Sequence, residues 1–322
     1  MKKIITGIKP TGEQPHIGNL FGAMLPFKSL CEGNDAALFI PDLHALSSVK
    51  DGEILKKNSF EAALTFLSVL GKDTKVTIFR QSDIVLIPKL NWFLNNFTPY
   101  SLMLRAHSFK DAKAKGVDLN MGVFNYPILM AADILGYDID IVPVGKDQKQ
   151  HIEFARDIAG NINSYYNTEI FKLPEAYIEK TVATIPGLDG KKMSKSYGNF
   201  IGIFEDEKIL KQKIMSIPTD SKGLEEPKDP DNCNVFALVK LIGKQEQQKE
   251  LKKKYLAGNY GYGNAKLELF EIMKEFLKPY KEAREELLKN PDFIEKKLQE
   301  GAKIMNARIE ITMERFKKYI GI

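Results

Sequence analysis

The sequence has few cysteines and no long apolar run, and these two shortages exclude whole classes of protein. Cys31 and Cys233 are the only cysteines in 322 residues, too few for a disulfide framework or a four-thiolate zinc or iron–sulfur site. No apolar segment approaches the roughly 18 residues of a membrane span. The apolar stretch after Lys3 ends at Pro10, which is too short for a secretory signal. We therefore expect a cytoplasmic protein with no membrane partner.

Composition and charge are those of an ordinary globular protein of about two domains. Hydrophobic residues make up 43% of the chain and charged residues 28%, which excludes disorder and collagen-like repeats. The 47 basic and 42 acidic residues give a net charge of +5. This mildly basic balance permits a nucleic-acid partner without requiring one, because a binding footprint depends on where the charges lie.

Strand-like and helix-like segments alternate through the first two-thirds of the chain. Short apolar segments at 3–8, 36–40, 75–79 and 140–144 predict strands, and the longer segments between them have helical periodicity. The polar segment 109–122 predicts a loop. This alternation predicts an α/β fold, a Rossmann-like doubly wound parallel sheet. Ligands of such sheets bind beyond the carboxyl ends of the strands.

Helical periodicity dominates the last third of the chain. Apolar residues three or four apart run from Ile294 to Ile320 and predict one long amphipathic helix. The Pro- and Asp-rich segment 218–231 predicts a loop between helices. We therefore expect a sheet domain over 1–196 and an all-helical domain over 197–322.

A glycine-containing turn joins the first strand to the first helix. Gly7–Gly12 is followed by His16, Gly18 and Asn19, and glycine permits close approach of a ligand to the backbone. The free N–H groups at the start of the helix favour a phosphate there. A turn in which His16 is only a polar cap fits the same residues.

A second polar motif, Lys-Met-Ser-Lys-Ser, occupies 192–196. Two lysines beside small hydroxyl residues suit a mobile clamp on a polyphosphate. Most charged runs are solvated surface loops, however, so the motif alone leaves both interpretations open.

Asp133 interrupts an otherwise apolar helical segment. A buried carboxylate needs a partner, which is either an ion pair or cap within the fold or a ligand that donates a hydrogen bond. Farther on, Gly145, Asp147 and Gln148 follow a strand. They form either a turn with Asp147 as the helix N-cap or a site for ribose hydroxyls and a polar substrate group.

Several motifs are absent from the sequence. It has no G-x-x-x-x-G-K-[ST] and no G-x-S-x-G, which excludes a P-loop NTPase and a nucleophile elbow. The histidines show no metal-ligand spacing; they are His16, His44, His107 and His151.

The motifs, in this order, resemble those of the class I aminoacyl-tRNA synthetases. They are His-Ile-Gly-Asn at 16–19, Tyr126 with Met-Ala-Ala-Asp at 130–133, Gly-x-Asp-Gln at 145–148 with His151, and Lys-Met-Ser-Lys-Ser at 192–196. The second and third are similar to the tryptophan branch of the short bacterial type, whereas the tyrosine branch usually has Gln where Met130 stands. The resemblance extends from about Lys3 to the C-terminus.

The resemblance implies an enzyme that activates L-tryptophan with ATP to tryptophanyl-adenylate and pyrophosphate and then transfers tryptophan to tRNA(Trp). Mg²⁺ is expected to accompany ATP, and the enzyme is expected to be a homodimer. The resemblance further implies a catalytic domain at 1–196, with an inserted helical dimerisation segment at about 88–132, and an anticodon-binding domain at 197–322.

The resemblance also implies, by position, which residues bind ATP. They are Lys9, Pro10, Thr11, His16, Gly18, Asn19, Gly145, Lys146, Asp147, Ile185, Lys192, Met193, Ser194, Lys195 and Ser196. Those implied to be catalytic are His16, Asn19, Lys192 and Lys195. Position 9 departs from relatives, which commonly have Gln there. A further loop lysine of the family corresponds to Lys113 or Lys115.

The implied tryptophan site centres on Asp133, whose carboxylate would accept the indole N–H. Tyr126 and Gln148 would hold the amino group. The implied pocket walls are Ile5, Met130, Val142 and Val144, with Ile5 at a position where relatives can have an aromatic residue.

Other functions fit parts of the same pattern. One is a tyrosine-activating enzyme of the same fold, against which Met130 argues. Another is a nucleotidylyltransferase with an H-x-G-H-type turn, which would not need the long helical C-terminal part. A third is a non-catalytic RNA-binding paralogue, against which the intact Lys192–Ser196 motif argues. Pyrophosphate exchange that depends on one amino acid would discriminate among them.

Overall fold

The structure is a computed structural model, and it describes residues 1–10, 12, 14–114, 116, 119–145, 148–178 and 185–322. Four of the candidate site residues lie outside these ranges, namely Thr11, Lys115, Lys146 and Asp147. The chain divides into two compact units. The sheet unit comprises Met1–Glu13, Phe27–Lys180 and Leu287–Ile322, and the helical unit comprises Gln14–Pro26 and Thr181–Glu286.

The sheet unit is built on a parallel sheet of five strands. They are β1 (Lys3–Gly7), β2 (Asp35–Ile40), β3 (Thr77–Arg80), β4 (Ile141–Pro143) and β5 (Glu175–Tyr177), in the order β3-β2-β1-β4-β5. The chain moves outward from β1 in one direction and then returns to start β4 on the other side, so the strand order reverses between β1 and β4. The predicted Rossmann-like α/β class is confirmed.

Buried aliphatic side chains stabilise the pairing of β1 with its neighbours β2 and β4. Ile4, Ala37 and Leu38 are each fully buried, and Ile4 pairs with Ala36 on one side and Ile141 on the other. A strand covered on both faces needs apolar side chains on both faces.

β5 was not predicted, because its Glu-Ala-Tyr sequence has exposed ends and no apolar run.

The described residues also form α-helices, which are found in both units. They are α1 (Ile17–Asn19), α2 (Leu25–Cys31), α3 (Asp42–Ala45), α4 (Gly52–Leu70), α5 (Ile87–Asn95), α6 (Tyr100–Leu104), α7 (His107–Ala114), α8 (Met121–Leu135), α9 (Lys149–Tyr165), α10 (Glu207–Met215), α11 (Asn234–Ile242), α12 (Gln245–Ala257), α13 (Tyr262–Leu288) and α14 (Pro291–Ile320). A π-helical turn, Leu20–Met24, lies between α1 and α2. Within the described ranges, no helix is both long and apolar enough to cross a membrane.

The loop predicted at 109–122 is wrong over its first half, because α7 occupies 107–114. That segment contains lysine and alanine, both strong helix formers. Its low apolar content concealed the helix, since helices on a surface need few apolar residues.

The C-terminal apolar stripe is confirmed. Its members are all buried from Ile294 to Phe316, and they lie on α14, which packs against β3 in the sheet unit. Compact packing does not test what a segment binds, so an anticodon-binding role for 197–322 stays a prediction.

Gly301 allows α14 to lie directly on β3. A Cβ atom at this position would overlap the backbone carbonyl group of Ile78, and neither backbone can move without disturbing the sheet. We expect Gly301→Ala to lower the free energy of unfolding by about 2 kcal/mol, the usual cost of overpacking. Thermal and urea unfolding of the variant measures the loss.

The matched control for this substitution is Gly160→Ala, in the middle of α9. A Cβ there meets nothing within 4 Å, so the better helix propensity of alanine should raise stability by about 0.5–1 kcal/mol. Equal stabilisation of both variants would contradict the close approach of α14 to β3.

Candidate active site

Asp133 is the buried carboxylate that the sequence predicts, and it is only 1% exposed. It lies on α8, whose first turn is capped by the side chain of Asn120. Its Oδ2 atom is 2.9 Å from Nε2 of His44, which lies on α3 after β2. Gln81 follows β3 and donates from Nε2 to both carboxylate oxygens, at 2.8 and 2.7 Å. The carboxyl ends of two strands therefore supply the partners of this acid.

Gln81 is fully buried and makes hydrogen bonds from both ends of its carboxamide. While its nitrogen donates to Asp133, its Oε1 accepts from the backbone N–H of His44 at 3.3 Å. One side chain thus connects the segment after β2, the segment after β3, and α8. Such a network restricts the orientation of the Asp133 carboxylate.

Burial is the largest influence on the Asp133 carboxyl group, and desolvation raises its pKa. The hydrogen bonds and charge of His44 and the hydrogen bonds of Gln81 oppose this shift, while the charge of Asp42 adds to it. Tyr137 lies close enough for Asp133 to raise its pKa, although burial is again the larger cause. An additional N–H donor from a ligand would favour the charged carboxylate.

Three of the residues predicted to bind tryptophan lie together. The hydroxyl of Tyr126 is 3.5 Å from Oε1 of Gln148 and 3.8 Å from the sulfur of Met130, one helical turn away on α8. The ring of Tyr126 meets that of His44 edge to face, with centroids 5.1 Å apart. The predicted amine-binding pair therefore adjoins the partners of Asp133.

The predicted apolar walls belong to one cluster of core side chains. Ile5 on β1 and Val142 on β4 are buried, and Met130 and Val144 pack against the same cluster while keeping part of their surface exposed. Because β1 and β4 are adjacent strands, these walls lie beside the point where the strand order reverses.

Part of the predicted ATP site lies at the ends of the same two strands. Lys9 and Pro10 follow β1, and Gly145 follows β4. The ammonium of Lys9 donates to Oγ of Ser47 at 3.3 Å, and the carbonyl of Gly145 accepts from the backbone N–H of Gln148 at 3.0 Å. The structure therefore brings the residues after β1 and β4 to one edge of the sheet, which is where a parallel sheet binds its ligands.

The helical unit brings the first and last motifs together. The backbone N–H of Gly18 points at the sulfur of Met193, 3.3 Å away. The N–H of Ile17 donates to the carbonyl of Ile201 at 2.9 Å, and His16 forms an isolated bridge with Gly202. The sequence separates these motifs by more than half of the chain, yet Gly18 and Met193 are in contact.

Met193 anchors the Lys192–Ser196 motif. It is buried, and its backbone N–H donates to the carbonyl of Ile185 at 2.9 Å, so the residue predicted to contact adenine lies beside the motif. The exposed side chain of Lys192 and the half-buried side chain of Lys195 flank this anchor. The motif thus has a fixed centre and two cationic side chains around it.

Asn199 holds the same motif from the other side, and sequence reasoning missed it. Its Oδ1 accepts from the backbone N–H of Ser194 at 2.8 Å, while its Nδ2 donates to the carbonyl of Lys192 at 3.1 Å and to Asp189 at 2.7 Å. Lys195 then begins a 3₁₀ turn that ends at Gly198, whose φ is +64°.

The sequence did not identify His44, Gln81 and Asn199 as site residues, although their positions after strands or beside a motif were visible in it. His44 lies four residues after β2 and Gln81 directly follows β3, so both are polar residues at the edge where ligands were expected. Asn199 follows the lysine motif by a few residues. Their positions suggested proximity to a site, but their hydrogen-bond partners are distant in sequence.

The predicted ATP residues are not all in one unit of the structure. The residues predicted to bind ATP divide between the sheet unit and the helical unit. Lys113 is exposed in the last turn of α7, and Lys115 lies outside the described residues. In the part of the chain that the structure describes, no three His, Cys, Asp or Glu side chains group into a metal site.

Comparison with known proteins shows the family of this chain. The model of the family "tRNA synthetases class I (W and Y)" matches residues 1–278. A tryptophan–tRNA ligase of Fusobacterium nucleatum is 49% identical over 318 residues, which cover 99% of this chain and 96% of the relative.

Solved structures give the same result. A tryptophanyl-tRNA synthetase of Campylobacter jejuni, in complex with ADP and tryptophan, has a TM-score of 0.94 and 45% identity, covering 99% of this chain and all of the other. The enzyme of Mycoplasma pneumoniae has a TM-score of 0.78 and 29% identity, covering 100% of this chain and 98% of the other. The chain therefore belongs to the class I tRNA synthetases for tryptophan and tyrosine, and within them to the tryptophan–tRNA ligases.

Proposed function

We propose that this enzyme activates L-tryptophan with ATP to form tryptophanyl-adenylate and pyrophosphate, and then transfers the tryptophanyl group to tRNA(Trp). The observation that carries this proposal is Asp133, a buried carboxylate held by His44 and Gln81 at the ligand-binding edge of the sheet. A carboxylate in an apolar setting suits a large apolar ring that carries one N–H donor.

The first step requires positioning and charge stabilisation rather than a general base. The carboxylate of tryptophan is already ionised at pH 7, so it can attack the α-phosphorus of ATP directly while pyrophosphate leaves. Negative charge on the phosphates is stabilised by cationic groups placed beside them. Lys192 and Lys195, with the motif fixed by Met193 and Asn199, are the residues that we assign to this role.

Mg²⁺ is proposed to arrive as part of the substrate, bound to the phosphates of ATP. The proposal rests on phosphate chemistry, since phosphate oxygens are ligands that Mg²⁺ prefers. The enzyme is also proposed to act in the cytoplasm, where tRNA is charged.

A homodimer is supported by exposed apolar side chains in the predicted dimerisation segment at about 88–132. Trp92 is 67% exposed and Tyr100 69% exposed. Exposed aromatic side chains are enriched at protein interfaces. Sedimentation equilibrium measures the mass, and a Trp92→Glu variant that keeps the wild-type mass would argue against this surface.

The experiment that tests the proposed function is ATP–pyrophosphate exchange measured with each amino acid in turn. Exchange with tryptophan alone is expected. Exchange with tyrosine would favour the tyrosine-activating alternative, and exchange without any amino acid would favour a nucleotidylyltransferase. A chain that shows no exchange under any of these conditions would fit the non-catalytic RNA-binding alternative.

Gln81 offers a sharper test of the tryptophan site. In Gln81→Met, a side chain of similar length no longer donates to Asp133, so the carboxylate loses the bonds that orient it and favour its charge. Hydrogen bonds to charged groups contribute about 1.5–3 kcal/mol, so we expect the KM for tryptophan to rise about 10- to 100-fold. The KM for ATP should stay unchanged.

The control is Gln299→Met, the same replacement at an exposed position of α14. It should leave both KM values unchanged. An equal rise in the two KM values of Gln81→Met would show general damage to the fold, and an unchanged KM for tryptophan would contradict the orienting role of Gln81.

A further inference from the structure

The residues 200–203, which we call the supporting segment, lie against the motif at 16–19 within the helical unit. The backbone N–H of Ile203 donates to the carbonyl of Pro15 at 3.1 Å, and the N–H of Ile17 donates back to the segment at 2.9 Å. This pairing fixes the backbone of the motif. The direction of its histidine ring depends on further contacts, which residues outside the predicted site provide.

Two neighbours confine the ring of His16. Its centroid lies 5.9 Å from the ring centroid of Phe200, the first residue of the supporting segment, and the two ring planes are tilted by 45°. A Cβ atom on Gly18 would lie 2.7 Å from Cε1 of His16, so the imidazole lies directly against this glycine. His16 is only 8% exposed. Its imidazole therefore has little freedom while Phe200 stays in place.

Lys213, on α10, fixes Phe200 in turn. Its ammonium lies 4.2 Å from the ring centroid of Phe200, inside the distance of roughly 6 Å at which cation–π attraction is significant. The same ammonium donates to the backbone carbonyl of Phe200 at 3.1 Å. One lysine thus contacts both the side chain and the backbone of the residue that lies beside His16.

Glu205 orients the ammonium of Lys213. Its Oε1 accepts a hydrogen bond from Lys213 at 2.5 Å, and its Oε2 accepts from the backbone N–H of Gly202 at 3.3 Å. The side chain of Glu205 is 13% exposed and that of Lys213 is 24% exposed, so solvent screens this pair less than it screens a fully exposed one. A continuous set of contacts therefore runs from α10 through the supporting segment to His16.

We propose that Phe200 and Lys213 are positioning residues for the activation step, an inference that rests on the proposed function. They hold the imidazole of His16, which we assign to ATP, in the orientation that the reaction requires. A displacement of about 1 Å at a reacting site can cost on the order of 100-fold in rate. Side chains that hold such a group therefore affect the rate without contacting a substrate.

Simple packing would also explain an aromatic residue at this place, but the two roles predict different behaviour of variants. Phe200→Leu keeps an apolar side chain but has no ring for the imidazole and the ammonium, whereas Phe200→Tyr keeps the ring. We expect the kcat for tryptophan-dependent pyrophosphate exchange to fall about 10-fold in Phe200→Leu and to stay near the wild-type level in Phe200→Tyr. The KM for tryptophan should be unchanged in both.

Lys213 gives the same test without altering an apolar side chain. Lys213→Met removes the ammonium and keeps the apolar stem, so kcat should fall about as much as in Phe200→Leu. Lys213→Arg keeps the charge and should restore most of the rate. The matched control is Lys211→Met on the same helix. The ammonium of Lys211 lies 5.8 Å from the ring centroid of Phe270, on α13, and its loss should leave kcat at the wild-type level.

A double-mutant cycle shows whether Phe200 acts through His16. Single-turnover rates of adenylate formation are measured for His16→Ala, for Phe200→Leu and for the enzyme with both changes. A residue that only positions the imidazole has no further effect once the imidazole is absent. We therefore expect Phe200→Leu to change the rate of His16→Ala by less than about 2-fold, the usual error of such a cycle.

Three results would overturn the proposal. They are losses of rate that multiply in the double-mutant cycle, a wild-type kcat in both Phe200→Leu and Lys213→Met, and a loss in Lys211→Met equal to that in Lys213→Met. Failure of the proposed function itself has a different signature, because wild-type enzyme would then show no tryptophan-dependent exchange.

Discussion

Lys195→Ala should slow formation of tryptophanyl-adenylate by about 10²- to 10³-fold, the usual effect of removing one group that stabilises transition-state charge. The affinity for tryptophan should stay unchanged, because the lysine is assigned to the phosphates and not to the amino acid. Rapid-quench measurement of a single turnover gives the rate, and equilibrium dialysis gives the affinity. A loss of rate with constant affinity identifies an interaction made in the transition state.

The structure gives this prediction a matched control within the same loop. Lys191 is an exposed lysine next to the motif, and its backbone rather than its side chain is fixed by Asp189. Lys191→Ala removes one positive charge without touching the motif, so the single-turnover rate should stay at the wild-type level. A loss in both variants would indicate a general effect of charge, and an unchanged rate in Lys195→Ala would refute the assignment.

Asn199 extends the same argument to the backbone of the motif. It binds the carbonyl of Lys192 and the N–H of Ser194, and a hydrogen-bonded backbone restricts where the lysine side chains can begin. The sequence could predict the motif because its residues are adjacent. It could not predict Asn199 as the residue that holds it, because many polar residues near a loop have no such contact.

In the fold as well, the local spacing of apolar residues predicts some elements and not others. The stripe from Ile294 to Phe316 predicted a helix correctly, because burial along one face imposes a regular spacing. β5 gave no signal, since a short strand at the edge of a sheet needs few apolar residues. The close packing of Gly301 on β3 was likewise not predictable, because it depends on a contact between segments far apart in sequence.

The sequence could likewise predict only part of the proposed tryptophan site. A carboxylate in an apolar helix must have partners, so the sequence could identify Asp133 as unusual. Which residues are its partners depends on how β2, β3 and α8 meet. His44 and Gln81 therefore emerged only from the structure.

Asp133→Asn should lower the kcat/KM for tryptophan by about 10²- to 10³-fold, because a site built around a polar contact discriminates strongly when that contact is lost. Both carboxylate oxygens already accept hydrogen bonds from Gln81, and one lies beside His44. An asparagine at this position must place its NH₂ group where an acceptor is required. The preference for tryptophan over phenylalanine should fall as well, since phenylalanine no longer leaves a buried charge unpaired. Pyrophosphate exchange with each amino acid measures both effects.

The pH dependence of wild-type enzyme provides an independent check on the same residue. Burial raises the pKa of Asp133, so the carboxyl group takes up a proton at a higher pH than an exposed aspartate does. As the pH falls through this raised pKa, the group loses its charge and becomes a weaker acceptor for the indole N–H, and the kcat/KM for tryptophan should fall. The effect on the stability of the fold has the opposite sign, because protonation of Asp133 favours the folded state. This stabilisation is fully present below the ordinary pKa of aspartate. It is lost as the pH rises through the raised pKa of Asp133 in the folded protein. Asp133→Asn should remove both dependences, whereas Asp51→Asn, which keeps a good N-cap on α4, should retain them. A wild-type pH profile in Asp133→Asn would assign the titration to another group.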